Sequence, residues 1–162
     1  MKKGFFVTVL SALFFVGSAY VFVAIQSSLA VSNINGQVVQ MVNATRRHLS
    51  KSHDYYALTS NFISNSGLAP DGMKLNENNA FDISGNAEMS IVSLIPYRDF
   101  DLNFDQVSYL TCKGLLGDRS VLLGDEIQPE KLTVNGFKLP PRPGVESACT
   151  PFGPNSFTIS YQ

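Results

Sequence analysis

The pattern of apolar and polar positions divides the chain unevenly. From Phe5 to Ile25 there is no charged residue. As a helix this run is about 31 Å long, close to the roughly 30 Å hydrocarbon core of a bilayer. Beyond it the pattern changes. At 100° per residue, Val31, Ile34, Val38, Met41, Val42, Thr45 and Leu49 fall within an arc of about 100°. Asn33, Gln37, Gln40, Asn43, Arg46, Arg47 and Ser50 fall outside it. No proline occurs before Pro70. The pattern predicts one helix from about Phe5 to about Tyr55, apolar all round in its first half and amphipathic in its second.

Lys2 and Lys3 precede the apolar run, which orients a spanning helix with its N-terminus in the cytoplasm and the remainder outside. A competing reading is a secretory signal cut after Ala30, because Ser28-Leu29-Ala30 has small residues where signal peptidase needs them. Signal h-regions usually run for about 7–15 residues, shorter than this one. A discarded signal also has no need to continue in helical phase into the mature domain. The segment is therefore read as retained.

The remaining chain alternates on a shorter period. Tyr55 to Ser66 reads as a second helix with Gly67 past its end and Pro70 forbidding continuation. Pro70 to Asn79 reads as loop. Phe81 to Ile83 and Glu88 to Ile95 are candidate strands, and Phe100, Leu102 and Phe104 alternate with polar residues. Asp105 is placed to cap a helix through Leu116, stopped by Gly117, with Val107, Leu110 and Leu115 on its core side. Asn135-Gly136, between Leu132 and Leu139, signals a type I′ hairpin; Pro140 to Gly144 is irregular, and Phe157, Ile159 and Tyr161 mark a last strand. Helices first and an antiparallel sheet after them give an α+β class.

Composition narrows the functions. Twelve Lys+Arg stand against 13 Asp+Glu, and only 15% of residues are charged, so a nucleic-acid partner has no electrostatic support. The two cysteines, Cys112 and Cys149, follow the apolar segment. In an exported domain an even count favours a disulfide, here with one possible pairing, the alternative being two separate buried thiols. No metal-ligand spacing links His48 or His53 to them.

Several local sequences, taken in order, resemble the type IVb pilins, in particular those of conjugative and enteric thin-pilus systems. They are the long N-terminal helix, Asp54-Tyr55-Tyr56-Ala57-Leu58-Thr59, Leu68-Ala69-Pro70, the VSYLTCKGLL stretch around Cys112, and LTVNG followed by Cys149 and FTISY. The resemblance covers most of the chain and implies a domain pinned by Cys112–Cys149. It also implies cleavage by a prepilin peptidase between Gly4 and Phe5, although a leader of residues 1–4 is shorter than usual for that subfamily. Pilins generally carry a glutamate at the fifth mature position, where it pairs with the terminal amine of the subunit ahead; here that residue is Val9. The departure suits a minor pilin at a tip or initiating position, the alternative being a lineage that docks by apolar packing alone.

No catalytic constellation emerges. Asp99-Phe100-Asp101 and Asp125-Glu126 read as solvated loops, Gly114-Leu115-Leu116-Gly117-Asp118 lacks the Gly-Lys-Ser/Thr ending of a phosphate loop, and Arg46-Arg47-His48 reads as a solvated or headgroup-facing patch. The expected organisation is a leader (1–4), a membrane-spanning and filament-core segment (5–25), an amphipathic helical half (26–55) and a globular domain (56–162). Assembly is expected through one helix carrying Phe5, Val9, Leu13, Val16, Val31, Ile34, Val38 and Val42. The implied partners are other pilin subunits, prepilin peptidase, an inner-membrane assembly platform and the inner membrane before export into an extracellular filament. No enzyme activity, cofactor or metal is expected. A type II secretion pseudopilin and a soluble binding module released after Ala30 are the alternative readings.

Overall fold

In the computed structural model the described residues are 2–49, 58–83, 87–93, 99–118, 120–124 and 128–162, with side chains of the first helix described at 18, 19 and 21–47. That helix, α1 (Lys2–Leu49), is continuous over 48 residues, or about 72 Å at 1.5 Å per residue. The periodicity of its second half is realised: Ile34, Val38, Met41, Val42 and Thr45 are buried, whereas Asn33, Gln40, Asn43 and Arg47 are exposed. The continuation expected to Tyr55 lies outside the described residues.

The helix packs on a seven-stranded, wholly antiparallel sheet of order β1-β2-β3-β4-β7-β5-β6. Its strands are β1 (Lys74–Leu75), β2 (Phe81–Ile83), β3 (Ala87–Ser93), β4 (Phe100–Val107), β5 (Pro129–Val134), β6 (Phe137–Leu139) and β7 (Asn155–Tyr161). The protein is thus α+β. The C-terminal strand β7 sits in the middle, between β4 and β5, so the last residues of the chain close the core.

Alternation with period two sorts the strand residues. Phe100, Leu102, Phe104, Phe157, Ile159, Tyr161, Leu132 and Val134 face the helix and are buried. Within that layer Phe104 stacks on Phe157 with ring centroids 4.5 Å apart, and Phe100 on Tyr161 at 5.5 Å. The outer face is polar. Asp82, Glu88 and Asp105 stand opposite one another across three strands, and Asn76 Nδ2 donates to Asp82 Oδ1 and Glu88 Oε1, each at 3.1 Å.

Several boundaries differ from expectation. The short helix α2 spans only Ser60–Asn65: Thr59 caps it, its Oγ1 accepting from the Phe62 N–H, and forms an isolated bridge to Val92 instead of extending the helix. Gly67, at φ +66°, takes the left-handed position past its end, as predicted. The loop expected over 70–79 contains β1, which pairs with β2. Strand β4 runs on through Asp105, the residue expected to cap the next helix, as far as Val107. A register shift between Phe104 and Val107, with Gln106 at φ +56°, then redirects the chain. Ser108 is the cap, its Oγ accepting from the Thr111 N–H, and the helix α3 is Tyr109–Leu116. Its core side is Thr111, Cys112, Leu115 and Leu116, with Leu110 half-buried and Val107 buried from the strand. The Asn135-Gly136 hairpin forms as predicted, both residues at positive φ.

Candidate assembly surface

Helix α1 has two unlike parts. From Ala30 onward its inward side chains are buried in the domain core; before that, Val21, Phe22, Val23, Ile25 and Leu29 are exposed large apolar residues. Phe22 alone is 63% exposed. Isolated apolar residues on a surface are ordinary, but a contiguous set marks a surface that another apolar body covers. Among the described residues no helix is long and apolar enough to cross a membrane. Of the span expected over Phe5–Ile25, the backbone is helical, and the side chains up to Gly17 and that of Tyr20 lie outside the described residues.

The same limit applies to the processing site at Gly4 and Phe5 and to Phe5, Val9, Leu13 and Val16 of the assembly helix, which share a helical backbone with no side chain described. Ile34, Val38 and Val42 belong to the subunit's own core, and Val31 is half-buried at the crossing with α3. Among the described residues, the exposed large apolar side chains of α1 therefore all lie upstream of Ala30.

Besides its buried face, α1 meets the domain at two further places. Where it crosses α3, Gly114 lets the helices approach: a Cβ there would lie 2.5 Å from Val31 Cγ2. On one side of the crossing Ala24, Ser27, Ser28, Val31, Leu110 and Gly114 line a mainly apolar groove. On the other, Gln26, Asn33, Ser108 and Thr111 contribute to a more polar one. Toward the helix's far end, Arg46 corrects its expected place in a solvated patch. It is half-buried, its Nη2 donates to the Gln162 carbonyl at 2.9 Å, and its guanidinium lies 5.8 Å from the centre of the Tyr161 ring. The extended C-terminus brings Gln162 to it. Arg47 is exposed and donates to the Asn43 carbonyl, while the side chain of His48 lies outside the described residues. Tyr161 donates to the Leu122 carbonyl at 3.1 Å. Burial raises its phenol well above the ordinary tyrosine pKa, and nearby Arg46 offsets this only in part.

Cys112 and Cys149 are bonded, with Cα atoms 6.0 Å apart and 37 residues of separation. By the chain-entropy estimate such a closure is worth about 4 kcal/mol. It ties α3 to the 3-10 turn Glu146–Ala148 and the loop that follows. That loop is organised by two asparagines. Asn135 Nδ2 donates to the Ala148 carbonyl and to Asn155 Oδ1, and Asn155 Oδ1 also accepts from the Thr150 N–H at 2.7 Å. Hairpin tip, disulfide and loop therefore form one unit. From it Phe152 projects 87% exposed, with Phe137 beside the hairpin tip 71% exposed. Neither phenylalanine has a sequence signal that sets it apart from the core aromatics.

Among the described residues no group of three or more His, Cys, Asp or Glu is arranged to hold a metal ion; Asp125 and Glu126 lie outside them. Comparison with known proteins finds no matching family, no matching characterised protein and no matching solved structure.

Proposed function

We propose that this chain is a structural subunit of a type IV filament of the type IVb kind, and a minor or tip subunit rather than the bulk one. One observation carries the reading most: a single uninterrupted helix builds the domain core with one part and presents exposed apolar residues with the other. The projecting part is held in lipid before assembly and by the helices of neighbouring subunits afterwards, since both surroundings are apolar. Cleavage after Gly4 frees the Phe5 amine, and Val9 at the fifth mature position leaves this subunit without the carboxylate that docks beneath a subunit ahead. A lone carboxylate in lipid is costly, so its absence removes a docking element and not a packing one. The filament serves adhesion, aggregation or conjugative contact.

A soluble module cut after Ala30 draws on a specific fact, namely that the described buried set begins at Ala30. The mass of the exported chain's N-terminus separates the two. A chain starting at Phe5 supports the filament subunit, and one starting at Val31 sinks it. A pseudopilin of a secretion machine shares the Phe5 start and is distinguished by the purified assembly in which the chain is found.

A further inference from the structure

The exposed aromatics, helix α3 and the projecting part of α1 all lie at one end of the domain. Strand register sets the axis: Arg46 reaches Tyr161 and Gln162 at one end, and Ala30 and Asn33 meet Ser108 and Thr111 at the other. Asn155, paired with Val107, belongs to the second end, as does the hairpin tip, because Asn135 bonds Asn155. Phe137 and Phe152 are therefore carried at the end from which the apolar half of α1 departs. Helix α3 crosses α1 at that same level, since Leu110 and Gly114 share a groove with Ala24 and Val31.

We propose that this end of the domain, presenting Tyr109, Leu110, Lys113, Phe137 and Phe152, rests in the interfacial layer of the outer leaflet when α1 spans the bilayer. The inference depends on the membrane-inserted state in the proposed function. Depth supports it. Ala30 is five residues beyond Ile25, a rise of about 7.5 Å, and the headgroup layer on each side of the core is about 5 to 7.5 Å thick. Helix α3, which meets α1 at Val31 and shares with it a groove reaching back to Ala24, cannot stand clear of that layer. The chemistry supports it too. The Thr150-Pro151-Phe152-Gly153-Pro154 loop is uncharged, and Thr150 Oγ1 accepts from the Phe152 N–H at 3.3 Å, so the ring is presented by an ordered loop. Lys113 extends over the Tyr109 ring, with Nζ 5.6 Å from its centre, joining a headgroup-reaching cation to an amphipathic ring. Lipid is the fitting occupant because this end gives off the helix whose Phe22, Ile25 and Leu29 are exposed and apolar, on the face of α1 turned away from α3.

The chain contains no tryptophan, so single substitutions report position without background. Full-length Phe22→Trp, Phe137→Trp, Phe152→Trp and Val92→Trp variants are reconstituted in phosphatidylethanolamine–phosphatidylglycerol vesicles, with and without brominated acyl chains. Val92 is exposed and pairs with Asp101, toward the opposite end of the sheet. The expected result is blue-shifted emission and strong loss of intensity in brominated lipid at positions 22, 137 and 152, with aqueous, iodide-quenched emission at 92. Quenching by lipid at 22 with aqueous emission at 137 and 152 overturns this inference and leaves the membrane-inserted state standing. Aqueous emission at 22 overturns that state and the inference with it. Lipid quenching at all four positions overturns the end-on placement. A blue shift at 152 that grows with protein density but ignores bromine assigns the surface to a second copy, which also overturns it.

Discussion

Tyr161 and Thr45 show how single polar groups fare inside the core. Both are buried, but Tyr161 donates to a carbonyl, whereas the Thr45 hydroxyl has no partner among the described residues. Tyr161 is neutral in folded and unfolded chains below about pH 10, the ordinary value. Above that, the unfolded phenol ionises while the folded one, held up by burial, does not. Its contribution is thus complete below pH 10 and declines as pH rises, by about 1.4 kcal/mol per unit until the folded group titrates. In an ultraviolet titration Tyr161 should resist ionisation until the domain unfolds, and Tyr161→Phe should abolish that late step. Thr45→Val exchanges an unpaired hydroxyl for a methyl of similar shape and should stabilise by about 1 kcal/mol, read as a higher urea midpoint with unchanged slope.

At the scale of elements, the crossing of α1 and α3 opposes two effects on one residue. Gly114 lies inside α3, where replacement by alanine ordinarily gains about 1 kcal/mol of helix propensity. Here the new Cβ would meet Val31 Cγ2 at 2.5 Å and Cγ1 at 3.3 Å. Val31 is β-branched and stiff in a helix, so the helices must separate, at a cost of about 1 to 3 kcal/mol. Sterics should win. Gly114→Ala is expected to lower the thermal midpoint, while Gly114→Ala combined with Val31→Ala recovers most of the loss relative to Val31→Ala alone. Such non-additivity in a double-mutant cycle is the mark of direct contact. Additive effects would show that the crossing is looser than its geometry indicates.

For the whole molecule, one helix has two parts of unlike exposure, buried apolar residues from Ala30 onward and exposed ones before it. The domain half is fixed by its own core. In the proposed function the projecting half is left for lipid or for other helices. The proposed tip role rests on Val9 within that half, so Val9→Glu should let the subunit dock beneath another and raise its share along purified filaments, measured by immunogold position and by subunit ratio. An unchanged distribution means that the missing carboxylate never limited where the subunit sits.

The sequence alone determined those features whose cause is local in the chain. The 3.6-residue spacing from Val31 to Thr45 defined a buried helix face, Asn135-Gly136 defined a turn, Gly67 defined a helix end, and alternation at 100–104 and 157–161 defined buried strands. Each follows from a backbone preference or period that needs no distant partner. What depends on distant partners was decided only by the tertiary structure. Asp105 had the chemistry of a cap, yet pairing with Glu88 kept it in a strand. Lys74-Leu75 became strand because Phe81 and Asp82 lay beside them. Arg46 is half-buried because Gln162 and Tyr161 lie at its side. Placing Phe137 and Phe152 at the end where α1 departs required the long-range register of β4, β5 and β7, since exposure and position are properties of the assembled sheet, not of any short run of residues.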